Sequence, residues 1–323
     1  MPSIYVSLPL TGPAGRLGRD LLRGIDLAHA RDRTVELTVL DAFGEDRDAK
    51  AVAHTQRAAA DPEALAYIGD LHSSQVDATA DVHDAAELLH IAPVATWTGL
   101  HGSTLVRLTP DDRAGAAAIA AWLEAAAVHE LLIVHDHDAG YGVPVGGMCA
   151  DAARERGLSV SLRPIWDHDE PWRRDVDGKE AVLYVGVAGS GAVGLWHDLH
   201  GANPELWLLG SEGVAVDWLA RELSDAEAAR TRFFVAQHAP FAFYGFEAMA
   251  LALDAIADGG DGRAGTVRAA RATRDRDSIL GRYSIDAEGR TTSTTYGRLT
   301  VADAELAWDR SEPGTMPGSP ATP

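Results

Sequence analysis

The sequence predicts an α/β protein made of two doubly wound lobes, each a parallel sheet wrapped by helices. Three observations predict it. Short β-branched and apolar runs alternate with helical periodicity along nearly the whole chain, which is the pattern of βα units. The pattern restarts near Thr109. A single sheet holding all the expected strands would be unusually large. With 323 residues, 46% hydrophobic and 24% charged, the chain has material for two cores.

In order along the chain, Ser3 to Leu8 reads as a strand and Thr11-Gly12-Pro13 as a turn. Arg16 to Ala30 is amphipathic, with Leu17, Leu21, Leu22, Ile25 and Leu27 at helical spacing. Thr34 to Leu40 is a strand closed by Asp41, and Asp46 to Ala60 a helix. The apolar run ending at Gly69 is a strand, followed by a loop, a helix from Ser73 and Ser74, and a second run from Leu88 to Ala92. Thr104 to Leu108 leads into Thr109-Pro110-Asp111-Asp112, a helix-start pattern, and the helix Arg113 to Ala127. The alternation repeats with strands at Glu130–Val134, Leu158–Leu162, Ala181–Val187, Leu206–Leu209 and Arg232–Ala236. Helices lie between them at Val143–Arg156, capped by Gly157, and up to about His200. Phe243–Ala257 and Ala264–Arg274 are helices, and Arg282–Ile285, Thr294–Leu299 and Glu305–Trp308 are short strands. The Pro-, Gly- and Ser-rich residues 310–323 are expected to be a disordered tail.

The net charge of −20 argues against nucleic acid and against anionic membrane surfaces as partners. No apolar run approaches the roughly 18 residues of a membrane span, so no direct membrane insertion is expected. The single cysteine, Cys149, falls in a helix and reads as a small buried hydrophobe. Met1-Pro2 leads directly into a strand. Three readings follow: a removed export signal, a cytosolic protein, or one module of a longer chain.

The stretch from Ala66 to Leu100 is strand, loop, helix and strand, with hydroxyls at both strand ends. Helix starts offer unpaired N–H groups and the positive end of a dipole. Ligands of parallel α/β sheets sit at the carboxyl ends of strands. Ser73 and Thr96 both fall there, which suggests a site for the carboxylate of a small ligand.

The segments P-L-T-G-P-A-G-R-L-G, Y-I-G-D-L-H-S-S, I-A-P-V-A-T, L-V-R-L-T-P-D-D, I-V-H-D-H-D-A-G-Y-G and L-L-G-S-E-G stand in this order. Together they resemble the type I periplasmic binding proteins, in particular the branched-chain amino-acid (Leu/Ile/Val) receptors of ABC transporters. The resemblance implies two lobes joined by a three-crossing hinge, residues 3–108 with 239–281 and residues 109–238 with 282–309. It implies that Ser73 gives its hydroxyl and N–H to a ligand carboxylate. Thr96 would give its N–H to that carboxylate and its hydroxyl to the ammonium, which the Val94 carbonyl would also accept. Glu212 from the other lobe would neutralise the ammonium, and Tyr141 would approach beside it. Leu17, His72, Trp97, Val187 and Phe241 would set the side-chain specificity. Leu17 and Val187 stand where the family often has aromatics, and His72 where some members have a disulfide cysteine. A zwitterion leaving water needs both charges met, and splitting the two halves between lobes would make binding favour closure.

Other motifs compete. Gly189-Ser190-Gly191-Ala192-Val193-Gly194 is a literal dinucleotide fingerprint between a strand and a helix, with Glu212 at the end of the next strand. It supports an alternative reading as an NAD-dependent enzyme, weakened by its place mid-chain. His135 to Asp138 and Trp166 to Glu170 tempt a metal reading, but strand neighbours point to opposite faces and both runs read as solvated loops. Arg268, Arg271, Arg274 and Arg276 read as a solvent-exposed helix face and its end. No catalytic constellation, metal site or cofactor is expected. The expected function is reversible, non-enzymatic capture of an amino acid or similar zwitterion. The expected partner is an ABC permease or, in a ligand-sensing regulator, a fused signalling domain. The expected place is extracytoplasmic if a leader or anchor was removed, with a cytosolic place left open.

Overall fold

In the computed structural model of the protein, the described residues are 1–138, 140–165, 172–189, 191–260 and 262–311. The strand–helix alternation is present. It begins β1 Ser3–Leu8, α1 Gly15–His29, β2 Glu36–Asp41, α2 Arg47–Ala60, β3 Ala64–Ile68, α3 Ser73–Ala86, β4 Leu89–Ala92 and β5 Leu105–Arg107. It continues α4 Asp112–Ala125, β6 Glu130–His135, α5 Gly142–Glu155, β7 Ser159–Pro164, α6 Trp172–Asp175, β8 Ala181–Val185, α7 Ala192–Ala202 and β9 Trp207–Gly210. After a 3-10 turn at Glu212–Val214 come α8 Asp217–Glu222, α9 Asp225–Arg230, β10 Thr231–Val235, α10 Phe241–Gly259 and α11 Arg263–Arg271. β11 Arg276–Ser278, β12 Gly281–Tyr283, β13 Gly297–Ala302 and β14 Glu305–Trp308 complete it.

The chain divides into two units, Met1–Asp111 with Ala239–Thr295, and Asp112–His238 with the rest from Tyr296. Unit 1 holds the five-stranded sheet β2-β1-β3-β4-β5, parallel throughout. Its core runs from Ile4, Val6 and Leu8 of β1 through Leu21 and Ile25 of α1 to Tyr244, Ala248 and Ala252 of α10. Unit 2 holds the seven-stranded sheet β14-β13-β10-β9-β8-β6-β7. Its first five strands in sequence pair in parallel, whereas β13 and β14 add an antiparallel edge. Ion pairs from buried Asp309, just past β14, to Arg232 of β10 and Arg298 of β13 fasten that edge, at 2.7 Å each.

Three sequence expectations differ from the structure. The last boundary between units lies at Thr295/Tyr296, not near Gly281. β12 pairs with β11, Tyr283 and Ile285 are buried in the unit 1 core, and Arg107 exchanges backbone hydrogen bonds with Gly289 and Thr291. Two short apolar pieces predict extended chain but not which sheet they join. Helices α8 and α9 went unassigned, although Ser224 and Glu227 form a reciprocal capping box at the start of α9. The arginines are mostly not a solvated face. Arg271 donates to the carbonyls of Gly102, Leu105 and Ala287, and Arg274 to that of Ile285. Arg276 pairs with buried Glu247 at 2.5 Å. The expected tail, residues 312–323, lies outside the described residues.

Helices α1 and α10 meet through glycine. A Cβ on Gly24 would lie 1.8 Å from the Ala242 carbonyl oxygen, and one on Gly245 would lie 1.9 Å from that of Leu21. Neither backbone can yield without moving a helix. Gly24→Ala should therefore lower unfolding free energy by about 1–3 kcal/mol or more, read as a shift in the urea midpoint. Gly147, inside α5, has nothing within 4 Å of an added Cβ. Gly147→Ala should be neutral or stabilising by up to about 1 kcal/mol. Equal losses in the two variants would refute this account of the contact.

Candidate ligand-binding residues in each unit

In unit 1 the candidate residues gather where β3 and β4 end. Gly69 follows β3 with φ 151°, and a Cβ there would lie 2.4 Å from the Ser7 carbonyl oxygen, so this close approach requires glycine. The chain then passes through buried Asp70 and Leu71 into α3. His72, not Ser73, caps that helix, its N–H reaching Gln75 Oε1 at 3.4 Å. Ser73 is the first helical residue. Its Oγ accepts from the N–H groups of both Thr96 and Trp97, at 3.2 Å each. The structure thus brings Ser73 and Thr96 together, though the Thr96 N–H expected to meet a ligand points at the serine. A hydroxyl that accepts two bonds still has its own hydrogen to donate.

The loop after β4 is held from three sides. Besides Ser73, the Thr109 hydroxyl donates to the Ala95 carbonyl at 3.2 Å, and buried Arg107 to that of Trp97 at 2.7 Å. Val94, buried, sits inside this clamped loop. Trp97 packs against Val76, Ala92, Leu100 and Leu105, so much of its ring serves the unit's own core. Phe241 likewise packs on the unit 1 core. Leu17 is exposed on α1. His72 is half-buried, and burial followed by the charge of Arg47 lowers its imidazole to about 4, so it is neutral at pH 7. Sequence reading passed over Phe43, an exposed ring lying over Gly12 of the opening loop.

Beneath the β3–α3 loop lies a buried polar layer that sequence reading also missed. Tyr67 OH is 3.4 Å from both oxygens of Asp70, and Ser7 Oγ is 3.0 Å from His54 Nδ1. His90 Nε2 is 2.7 Å from the Gly69 carbonyl, which can only accept, so this nitrogen carries the hydrogen. The rings of His83 and His90 stack with centroids 4.0 Å apart. Burial keeps both imidazoles neutral, and pushes the Asp70 carboxyl up to about 7.

In unit 2, Glu212 opens the 3-10 turn after β9. Gly213 next to it lets the turn approach β8, since a Cβ there would lie 2.2 Å from the Gly186 carbonyl oxygen. Tyr141 is the N-cap of α5. Burial and then the Glu212 charge push its phenol far up, against the Ser211 hydroxyl and Gly213 backbone. Burial, then the charge of Asp112, raises Glu212 to about 7, with the Gln237 amide and Ala236 backbone opposing. Burial, then the charges of Glu212, Asp112 and Tyr141, push the Tyr296 phenol far up, and its ring lies against Gly115 of α4. The charge of Glu212 thus bears on Tyr141, and Asp112 and Tyr296, which sequence reading left out, belong to the same electrostatic group. Asp112 was visible only as part of a helix start. Val187 is exposed at the end of β8, its N–H bonded to Asp136 Oδ2 at 2.9 Å.

The competing motifs fare differently. Asp136 ties the ends of β6 and β8 together and also accepts from the Asp138 N–H at 3.1 Å. Trp166 to Glu170 lie outside the described residues. Among the described residues no group of three His, Cys, Asp or Glu side chains could hold a metal ion. Ser190 of the dinucleotide-like run also lies outside them. At Gly189, Gly191 and Gly194 an added Cβ would meet nothing within 4 Å, and none of the three has positive φ. At these three described positions, neither a positive φ nor a close approach calls for glycine, as the fingerprint would require. Burial, then Asp112, pushes the Cys149 thiol up to about 12, which suits an inert core residue. No described helix is long and apolar enough to cross a membrane.

Comparison with known proteins agrees with this architecture. Residues 27–177 match the family described as the receptor family ligand binding region. No curated protein matches the chain at the level of sequence. A leucine-binding protein, LivK, from Thermotoga maritima superposes with a TM-score of 0.78 at 19% identity, covering 96% of this chain and 98% of its own. LivJ from Streptococcus pneumoniae, a branched-chain amino acid transporter substrate-binding protein solved with isoleucine, gives 0.75 at 16%, covering 96% and 100%. A solute-binding protein of an ABC transporter from R. palustris, in complex with 4-hydroxybenzoate, gives 0.78 at 16%, covering 96% of each chain. The chain has the fold of the type I periplasmic binding proteins, the group its motifs resemble.

The buried acid beneath the Ser73 loop makes a stability prediction. Asp70 titrates near 7 when folded and near 3.9 when unfolded. Between those values the folded state binds more protons, so this group's contribution to stability falls as pH rises from about 4 to 7 and is constant above. Asp70→Asn should remove a cost on the order of 4 kcal/mol at pH 8 and almost none at pH 4. The difference between variant and wild-type urea stabilities isolates Asp70 from the neutral histidines, whose contribution runs in the opposite sense. Parallel stability curves from pH 4 to 8 would show that Asp70 is ionised in the folded protein.

Proposed function

We propose that the protein is a non-enzymatic receptor that captures an amino acid or similar small zwitterion. In this reading the Ser73 hydroxyl and N–H of unit 1 take the carboxylate while the Thr96 N–H stays on the serine, and the Thr96 hydroxyl and Val94 carbonyl turn to the ammonium. Glu212 of unit 2 neutralises that ammonium beside Tyr141, and the two units close on the ligand. The observation that carries the reading is the Ser73 hydroxyl bonded to both backbone N–H groups of a clamped loop at the end of β4. Such a junction is preorganised, so little ordering is needed when an anion arrives. Glu212 supports the choice of a zwitterion over a simple aromatic acid, because its half-buried carboxylate would repel a second anion and suits an ammonium.

The proposed role is delivery of the ligand to an ABC permease in an extracytoplasmic compartment, or to a signalling domain if the chain belongs to a longer protein. Leu17, His72 and Val187 are the proposed contacts for the ligand's side chain, with Trp97 and Phe241 contributing what their packing leaves exposed.

A thermal-shift screen of amino acids against benzoates tests the reading, since a ligand bound only by the native state raises its apparent stability. Stabilisation by amino acids is expected. Stabilisation by benzoates alone would replace the zwitterion with an aromatic acid. For the amino acid found, Glu212→Ala should weaken calorimetric affinity by about 3–5 kcal/mol, the cost of leaving a buried charge unpaired. Unchanged affinity would remove Glu212 from the site.

A further inference from the structure

Phe43 is a large apolar side chain that unit 1 fixes in place yet leaves 44% exposed. Among the described residues its ring joins none of the apolar clusters of that unit. The backbone beneath it is tied down. Asp41, the last residue of β2, accepts from the Phe43 N–H at 3.0 Å. The same carboxylate accepts from the Leu10 N–H at 2.9 Å and the Thr11 hydroxyl at 2.6 Å, both in the opening loop. The Lys50 ammonium donates to the Phe43 carbonyl. The ring lies on Gly12, where φ is 71° and an added Cβ would stand 2.2 Å from Cε2, so only glycine accommodates it. Single exposed apolar residues are ordinary on protein surfaces. One whose backbone and ring are both fixed is a preorganised apolar surface, which costs little further ordering when something binds it.

The strand register places this ring at the same sheet edge as Ser73. β2, β1 and β3 lie side by side and end together, with Asp41 opposite Leu8 and Val6 opposite Ile68. Two strand spacings, about 10 Å, separate β2 from β3. The chain that follows Phe43 crosses this distance. The Ser74 hydroxyl donates to Asp48 Oδ1 at 2.9 Å, and the Gln75 amide donates to the Arg47 carbonyl at 3.2 Å. Phe43 thus stands on a bridge between the opening loop and the turn of α3 that carries Ser73. We propose that Phe43 is a specificity-determining residue whose ring receives the far end of the ligand's side chain, so that the site takes amino acids with a large apolar or aromatic side chain. The proposal rests on the zwitterion reading above and adds the class of side chain. A carboxylate held by Ser73 fixes where the ligand's side chain starts. A methyl group such as that of alanine falls short of the roughly 4–4.5 Å of an apolar contact with the ring. The side chain of phenylalanine covers most of the gap, and two rings gain from offset or edge-on contact.

Calorimetry on the full chain with L-phenylalanine and L-alanine tests this. The wild-type protein should bind L-phenylalanine at least about tenfold more tightly than L-alanine. Phe43→Ala should weaken L-phenylalanine binding about tenfold and L-alanine binding less than about twofold. Phe43→Tyr, which keeps the ring, should retain the preference. A ring that only props the opening loop would, when removed, lower the affinity for both amino acids equally, and that result would overturn the proposal. So would a Phe43→Ala protein that keeps the wild-type preference, or a screen in which only short or charged amino acids bind. Failure of the zwitterion reading has a different signature: no amino acid binds, while 4-hydroxybenzoate does. That aromatic acid then takes the place of L-phenylalanine. A loss of about tenfold in Phe43→Ala would uphold the role of the ring, and unchanged affinity would overturn it. Binding of neither class would overturn both readings.

Discussion

Unit 1 depends on one backbone contact. It is assembled from two stretches of chain separated by the whole of unit 2's first segment, and the second stretch returns as α10 and α11. α10 seats against α1 where Gly24 and Gly245 let each helix touch the other's carbonyls. Once α10 is seated, Arg263 at the start of α11 donates to five backbone carbonyls, those of Ala58, Ala59, Asp61, Ala64 and Ala86. These lie at the end of α2, the start of β3 and the end of α3. The same few residues therefore fix the elements that lead to and from the β3 strand end, where Ser73 stands. Small residues at a helix crossing permit close approach, and a planar guanidinium with five donors suits a nest of carbonyls.

Both units solve a similar problem at their strand ends. A loop that leaves polar groups at a strand end cannot be held by apolar packing alone. Gly69 in unit 1 and Gly213 in unit 2 each bring such a loop against a carbonyl, that of Ser7 in β1 and that of Gly186 just past β8, where any Cβ would collide. Side chains then finish the job: Ser73, Arg107 and Thr109 hold the loop after β4, and Asp136 holds the chain after β8. The cost of this arrangement is buried polarity nearby. Unit 1 meets it with a layer of neutral groups, Tyr67, His83, His90 and a raised Asp70. Neutral partners can be satisfied by single hydrogen bonds, whereas ions in the same place would need full pairing.

How much of this could be read in the sequence follows the range of the interactions concerned. Helices and strands were legible because their signals are local: the apolar spacing of α1, the β-branched run of β1, and Gly157 after α5 at φ 83°. Ser73 and Thr96 were legible as neighbours because two parallel strands with a short connecting helix must end side by side. What failed was long-range. Charge patterning alone cannot show that Arg271 reaches the carbonyls of Gly102 and Leu105, or that Tyr283 and Ile285 bury themselves in unit 1. His83 and His90 looked like ordinary polar positions on a helix and a strand. Their stacking exists only because α3 lays one over the other.

Asp112 and Tyr296 show the same limit at the site itself. Each opens one of the two segments of unit 2, so each begins a stretch of chain that has just crossed from unit 1. A residue at such a place is read locally as a helix start or a strand flank. In the folded unit both converge on Glu212, and the electrostatics change accordingly. A lone strand-end glutamate would be an ionised acid awaiting a cation. Glu212 is instead an acid that burial, then the charge of Asp112, pushes up to about 7. Crossing points thus bring together residues whose own local signals point only to a helix start and a strand flank.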